Sequence, residues 1–259
     1  MQQMTFNESV KRAWASAWDA ATQMPHLTLG AFIAYAALSC VAFAGRPVPG
    51  AGETPSGALV FAANLATLLT WIVDLGFIIK IHRFVLLREG TTPLLPLGGK
   101  PLARTFVLGI VITLGLIASA LLLYAILRPR YESGSALFGA IVSVVWIFIA
   151  VRVSLLFPAI STGSRIDLRG AWHDSRGHFW NLFGVPFVAL LPLIGCALVA
   201  LIIIGAAGIT PAAIASPTWL VLLATGQAAA NIAFTLISSA SLAWLYRRYA
   251  SRLPVPPEA

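Results

Sequence analysis

Long uninterrupted apolar runs alternate with short polar connections along this chain, and six of the runs are long enough to cross the hydrocarbon core of a bilayer as helices. They cover residues 27–44, 57–79, 105–127, 136–156, 179–204 and 218–246. A backbone surrounded by lipid must satisfy its own N–H and C=O groups, so each run is expected to be helical. The pattern predicts an all-α polytopic membrane protein with six transmembrane helices. Residues 1–259 then form a single integral membrane domain, and no stretch remains for a soluble one.

The connections fall into two classes. Residues 45–56, 128–135 and 206–217 are short or carry almost no charge, whereas the alternate connections are long and basic. Fourteen of the seventeen Lys and Arg residues lie on the basic side, leaving Arg46, Arg128 and Arg130 opposite. The positive-inside rule then puts the N- and C-termini and both long loops in the cytoplasm. Composition agrees: 59% of residues are apolar and 10% charged, with a mean hydropathy of +0.87, against near half and a quarter for soluble chains. The net charge of +8 follows from the topology. Nucleic acid is not an expected partner, because the charges are strung along span ends and not gathered in one polar domain.

Cys40 and Cys196 sit inside spans, where they behave as small apolar residues and suggest neither a disulfide nor a metal site. Ala42-Phe43-Ala44 imitates a signal-peptidase site, but the preceding segment is too long and contains Glu8 and Asp19. The first span is therefore expected to be retained.

Two segments on the basic side have interfacial character. In residues 1–26, Phe6, Val10, Trp14 and Trp18 recur every fourth position, with Lys11 and Arg12 on other faces, which predicts an amphipathic helix at the headgroup level. The second, from Arg165 to Trp180, is more basic and less regular, and contains Arg169, Trp172 and Arg176. Between them, Thr91 to Pro101 holds three prolines and two adjacent glycines, which argues against a long helix.

Short sequences recur. Ala62-Ala63-Asn64-Leu65-Ala66 matches Ala229-Ala230-Asn231-Ile232-Ala233, and Lys11-Arg12-Ala13-Trp14 matches Arg169-Gly170-Ala171-Trp172. Arg83-Phe84-Val85-Leu86-Leu87 matches Arg152-Val153-Ser154-Leu155-Leu156. Three hairpin repeats in one orientation account for these matches. Such repeats occur in transporters, but duplication of a stable hairpin is also a plain way to build a bundle.

Asp74 is the one acidic residue within a predicted span, about 9 Å from Lys80 along the helix at 1.5 Å per residue. Its own helix offers no cation at i+3 or i+4, so Arg152, at the inner end of the fourth span, is the expected partner. The pair is either a site coupled to a proton or ion, or a structural bond between helices. Ser238, Ser239, Ala240 and Ser241 offer a small-residue face for close helix packing. Candidate headgroup or interface contacts are Lys11, Arg12, Trp14, Arg83, Arg169, Trp172, Arg176, Arg247 and Arg248. Each cation near an anionic surface adds about 1 kcal/mol of attraction, although ordinary anchoring also explains them.

No paired carboxylates, histidine cluster, phosphate-cradling Gly-Lys-Ser/Thr or Gly-x-Ser-x-Gly elbow is present. No enzyme activity, cofactor or metal is expected. The segments His82-Arg83-Phe84-Val85-Leu86-Leu87-Arg88-Glu89, Arg152-Val153-Ser154-Leu155-Leu156-Phe157-Pro158-Ala159, Ala171-Trp172-His173-Asp174-Ser175-Arg176-Gly177-His178-Phe179-Trp180 and Tyr246-Arg247-Arg248 resemble uncharacterised six-span alphaproteobacterial proteins. These are related to YciC-like proteins and to the membrane domain of some glycerophosphodiester phosphodiesterases. The resemblance implies a bacterial inner-membrane location; the phosphodiesterase barrel is missing, so that activity does not transfer. The expectation is a non-catalytic inner-membrane component that binds membrane lipid, anionic headgroups among it, or a membrane-protein partner or second copy of itself. The alternative is a small-solute or lipid transporter working at the interface between hairpin repeats, with Asp74 and Arg152 at its inner gate.

Overall fold

A capping box starts the first helix: the Glu8 N–H donates to Thr5 Oγ1 and the Thr5 N–H returns a bond to Glu8 Oε2 at 2.9 Å. Helix α1 (Phe6–Gln23) then ends at Met24, and Pro25 opens α2 (Pro25–Ala44), the position at which a missing N–H is harmless. The computed structural model describes residues 5–46, 55–89, 99–127, 135–206 and 216–254. These residues continue through α3 (Gly57–Leu87), α4 (Gly99–Leu127), α5 (Ser135–Val153), α6 (Leu156–Ser161), α7 (Leu168–Asp174), α8 (Phe179–Ala206) and α9 (Pro217–Tyr249). No strand occurs among the described residues. The Pro-rich stretch 90–98 and Arg128 and Arg130 lie outside them.

Five helices, α2, α3, α4, α8 and α9, are long and apolar enough to cross a membrane. This is the architecture of a polytopic membrane protein. Helix α5, which corresponds to the fourth expected span, is apolar and 19 residues long, and it stops three residues short of the expected end. Ser154 turns its hydroxyl back onto Val151 C=O at 2.8 Å, and Pro158 has no N–H to return to Ser154, so the helix breaks and α6 begins.

Helix α9 is the hub, packed against α1, α2, α3 and α8. Its buried face contains Ala224, Ala228, Ser239, Ala240, Ser241 and Ala243, small side chains that let neighbouring backbones come close. On α2 the facing stripe is Leu27, Ala31, Tyr35, Ser39 and Ala42, spaced at helical period. The turn after α2 requires glycine at position 45, since a Cβ there would stand 2.4 Å from the Leu59 carbonyl and 2.5 Å from Ala63 Cβ.

At 31 residues α3 is about 46 Å long, well beyond a hydrocarbon core of about 30 Å. Its last two turns bury Ile79, Ile81, His82, Phe84, Val85 and Leu86, joined by Leu155, Leu156 and Ile160 from the α5–α6 corner. The main core thus gathers at the end of the bundle that carries Arg83, Arg152 and Arg247. This basic end is stitched by arginines that bond free carbonyls: Arg83 to Ser161, Arg104 to Gly163 and Ser164, and Arg247 to Leu86.

Helix α1 is held to the bundle by its small residues. Its packed face is Ser9, Ala13, Ala17 and Ala20, set against α8 and α9, while the aromatic stripe is turned away, with Trp18 71% exposed. Small residues fit tightly against the hub, and bulky indoles suit a lipid-facing surface.

Candidate functional site

The segment between α5 and α8 does not form one interfacial helix. Asp167 caps the short α7 by accepting from the Gly170 N–H at 3.0 Å, and the glycine leaves room for the capping carboxylate, since a Cβ would lie 2.6 Å from Asp167 Oδ2. Gly177, at φ 81°, then turns the chain into α8.

Asp174, at the end of α7, determines what lies opposite. Its carboxylate is fully buried and accepts from the Ser251 N–H (2.9 Å), the Ser251 hydroxyl (2.7 Å), the Arg252 N–H (3.0 Å) and the Leu253 N–H (3.0 Å). Burial pushes its pKa up, but these four donors outweigh that and hold it below the ordinary carboxylate range. The His173 ring is 3.6 Å away and half exposed. The segment after α9 is thereby fastened to α7, and the Arg252 side chain is delivered to its flank.

The result is a groove of about 750 Å³ at the basic end, into which Arg152, Arg169, Arg176 and Arg252 converge with His173, Trp172 and Leu168. No acidic residue is among its lining residues that the structure describes. Arg152, in the last turn of α5, lies beside two rings, 5.1 Å from the Phe148 centroid and 5.3 Å from that of Trp172. Its Nε and Nη1 are buried without an acceptor, which leaves donors whose loss of hydrogen bonding costs about 1–3 kcal/mol each. Four guanidiniums with free donors are suited to a multivalent oxyanion such as a phosphate.

The expected pair of Asp74 with Arg152 is not formed. Asp74 Oδ1 instead accepts from the Tyr35 hydroxyl at 2.7 Å and the Thr235 hydroxyl at 2.8 Å, which ties α3 to α2 and α9. Arg152 is held by aromatic rings on the other side of the bundle, where α5 meets α7 and α8.

The remaining candidates separate. Arg83 donates two hydrogen bonds to Glu89, one to each carboxylate oxygen at 2.6 Å, and Arg248 donates to Ser9 at 3.1 Å. Arg12 lies 4.8 Å over the Trp244 ring and, with Arg88, Arg247 and Asp19, lines a smaller cavity of about 230 Å³. Trp14 borders an apolar groove between α1, α2 and α9, and Lys11 is exposed. Of the residues singled out in the sequence, Arg152, Arg169, Trp172 and Arg176 are brought together. Asp174, His173 and Arg252 were missed as parts of this site.

A second buried pair links α3 to α6. Ser161 gives its hydroxyl proton to Phe157 C=O at 2.7 Å, so His82, 3.0 Å away, must donate from Nδ1, leaving its buried Nε2 as a bare acceptor. Full enclosure suits this pair to structure and not to catalysis. Among the described residues, no three His, Cys, Asp or Glu side chains are grouped to hold a metal.

Comparison with protein-family models, curated proteins and solved structures finds no match.

Proposed function

We propose that this protein is a non-catalytic, six-span component of the bacterial inner membrane that binds anionic headgroups at its cytoplasmic face. The observation that carries this reading is the convergence of Arg152, Arg169, Arg176 and Arg252 on one groove. A lone anchoring cation needs no such convergence, because it reaches the headgroup layer by itself. Helix α5 supplies the sixth span, and the charge asymmetry puts both termini in the cytoplasm. The hairpin repeats and the resemblance to YciC-like proteins rest on the sequence matches that suggested them. A bundle built from duplicated hairpins leaves the groove as a specialisation of one copy, since Arg252 comes from a different part of the chain.

The test is lipid binding by the purified full chain, using native mass spectrometry with phosphatidylglycerol against phosphatidylcholine. Each cation contributes about 1 kcal/mol, so Arg152→Gln combined with Arg169→Gln should weaken phosphatidylglycerol binding by more than about tenfold and leave phosphatidylcholine unchanged. Equal binding of both lipids by the unaltered protein would sink the reading.

The transport alternative draws on Asp74, an acid inside a candidate span that two hydroxyls bond on one oxygen only. It requires solute flux in reconstituted vesicles that Asp74→Asn abolishes while the protein still folds and inserts.

A further inference from the structure

We propose that the occupant of the arginine groove is an intact anionic phospholipid, with its phosphate among the guanidiniums and an acyl chain lying on an aromatic ladder that runs from the groove along α8. This rests on the headgroup reading above and adds the hydrophobic half of the ligand. The ladder begins at the groove wall, where Trp172 meets Phe148 edge-on at 6.0 Å. Phe148 contacts Phe179 at 5.3 Å; Phe179 stacks on Phe183 at 6.1 Å, and Phe183 on Phe187 at 5.6 Å.

Phe179, Phe183 and Phe187 are four residues apart, so they form one stripe about 12 Å long on α8. The rings of the last pair are within 13° of parallel and those of the first within 4°. Exposure rises from half-buried Phe179 to Phe187 at 48%, which gives a smooth apolar wall open on one side. A free phosphate ion would use the arginines and leave this wall without a role.

Arg152 joins the two halves. Its guanidinium stands against Phe148, the first ring of the ladder on α5, and the residue also lines the groove. A phosphodiester held there has its glycerol beside Phe148, from which the ladder leads away as an apolar path along α8. Charge at one end and an apolar stripe at the other match the two parts of a phospholipid, whereas a soluble phosphate ester matches only the first.

The experiment places p-benzoylphenylalanine at position 187, or at position 202 as a control on the same helix, where Ile202 is 69% exposed. The full chain is irradiated in native membranes and the attached lipid identified by mass spectrometry. Position 187 should capture anionic phospholipid enriched about fivefold over position 202, the factor expected from one well-placed cation, and Arg152→Gln with Arg169→Gln should remove the enrichment. The same lipid composition at both positions, or enrichment that survives the arginine changes, overturns the proposal. In a second arm, Phe183→Ala with Phe187→Ala should weaken phosphatidylglycerol binding to the purified protein about tenfold and leave binding of soluble glycerol 3-phosphate unchanged. If glycerol 3-phosphate binds as tightly as the lipid, the acyl contact is wrong and the headgroup reading stands. Indifference of both ligands to the arginine changes removes the headgroup reading itself.

Discussion

The helices around α9 and the α4–α5 pair are made of similar residues and are held in opposite ways. On α9 and α2 nearly every turn contributes a buried side chain, many of them Ala or Ser. Among residues 99–121 of α4 and 140–153 of α5, only Thr105, Leu108 and Val153 are buried. A side-chain bond joins the pair, from Trp146 Nε1 to Ser119 Oγ at 2.6 Å, and Gly115, whose missing Cβ leaves room for the Trp146 ring, lets them approach. Lipid is as apolar as leucine, so exposed Leu and Ile on α4 experience no force toward the bundle. Close packing of small faces and polar bonds must do what the hydrophobic effect does in water.

That contrast is open to direct attack. The largest effect is expected from adding volume at the hub: Ala240 is wholly buried, so Ala240→Leu should lower unfolding stability in detergent by about 3 kcal/mol. The same addition at exposed Ala118 on α4 should change it by less than about 0.5 kcal/mol, and equal effects would mean that the two regions are not packed differently.

Next comes the charged anchor of the basic end. Asp174→Ala should cost about 2 kcal/mol by removing an acceptor shared by four donors. Because the folded-state pKa of Asp174 is depressed, its contribution is complete above the unfolded value near 3.9 and is lost as pH falls through the folded value. Thermal melts between pH 6 and about pH 3 should therefore show a decline that Asp174→Asn flattens. A decline of the same size in the variant would assign it to other carboxylates.

Within the hub, Tyr35→Phe removes one of the two bonds to Asp74 and should cost about 1 kcal/mol by the same unfolding assay. The smallest effect is reserved for the loose pair. Trp146→Phe should cost about 0.6 kcal/mol, the typical worth of a bond between membrane helices, and should leave lipid binding intact.

The spans were legible because lipid solvation makes an apolar run nearly synonymous with a helix. The inner extension of α3 was hidden by Lys80, His82 and Arg83, which interrupt the apolar run while Ile81, Phe84, Val85 and Leu86 are buried on the same helix. Partners were less legible than faces. Periodicity shows which side of a helix is apolar but not which helix meets it, and Asp74 found Tyr35, 39 residues away, and Thr235, 161 residues away. Arg169, Trp172 and Arg176 announced themselves as basic and aromatic residues near a span. Arg252 did not, since its placement depends on backbone N–H groups that leave no side-chain signature.

The anchoring of Asp174 also sets an order of assembly during synthesis. Its donors lie 77 to 79 residues later in the chain, beyond the whole of α8 and α9. Until those residues leave the ribosome, α7 carries a carboxylate with no protein donors and the groove has three arginines instead of four. Under the proposed headgroup reading, full affinity for an anion is reached only after α9 has been inserted, so a chain stalled before Ser251 would hold lipid less tightly.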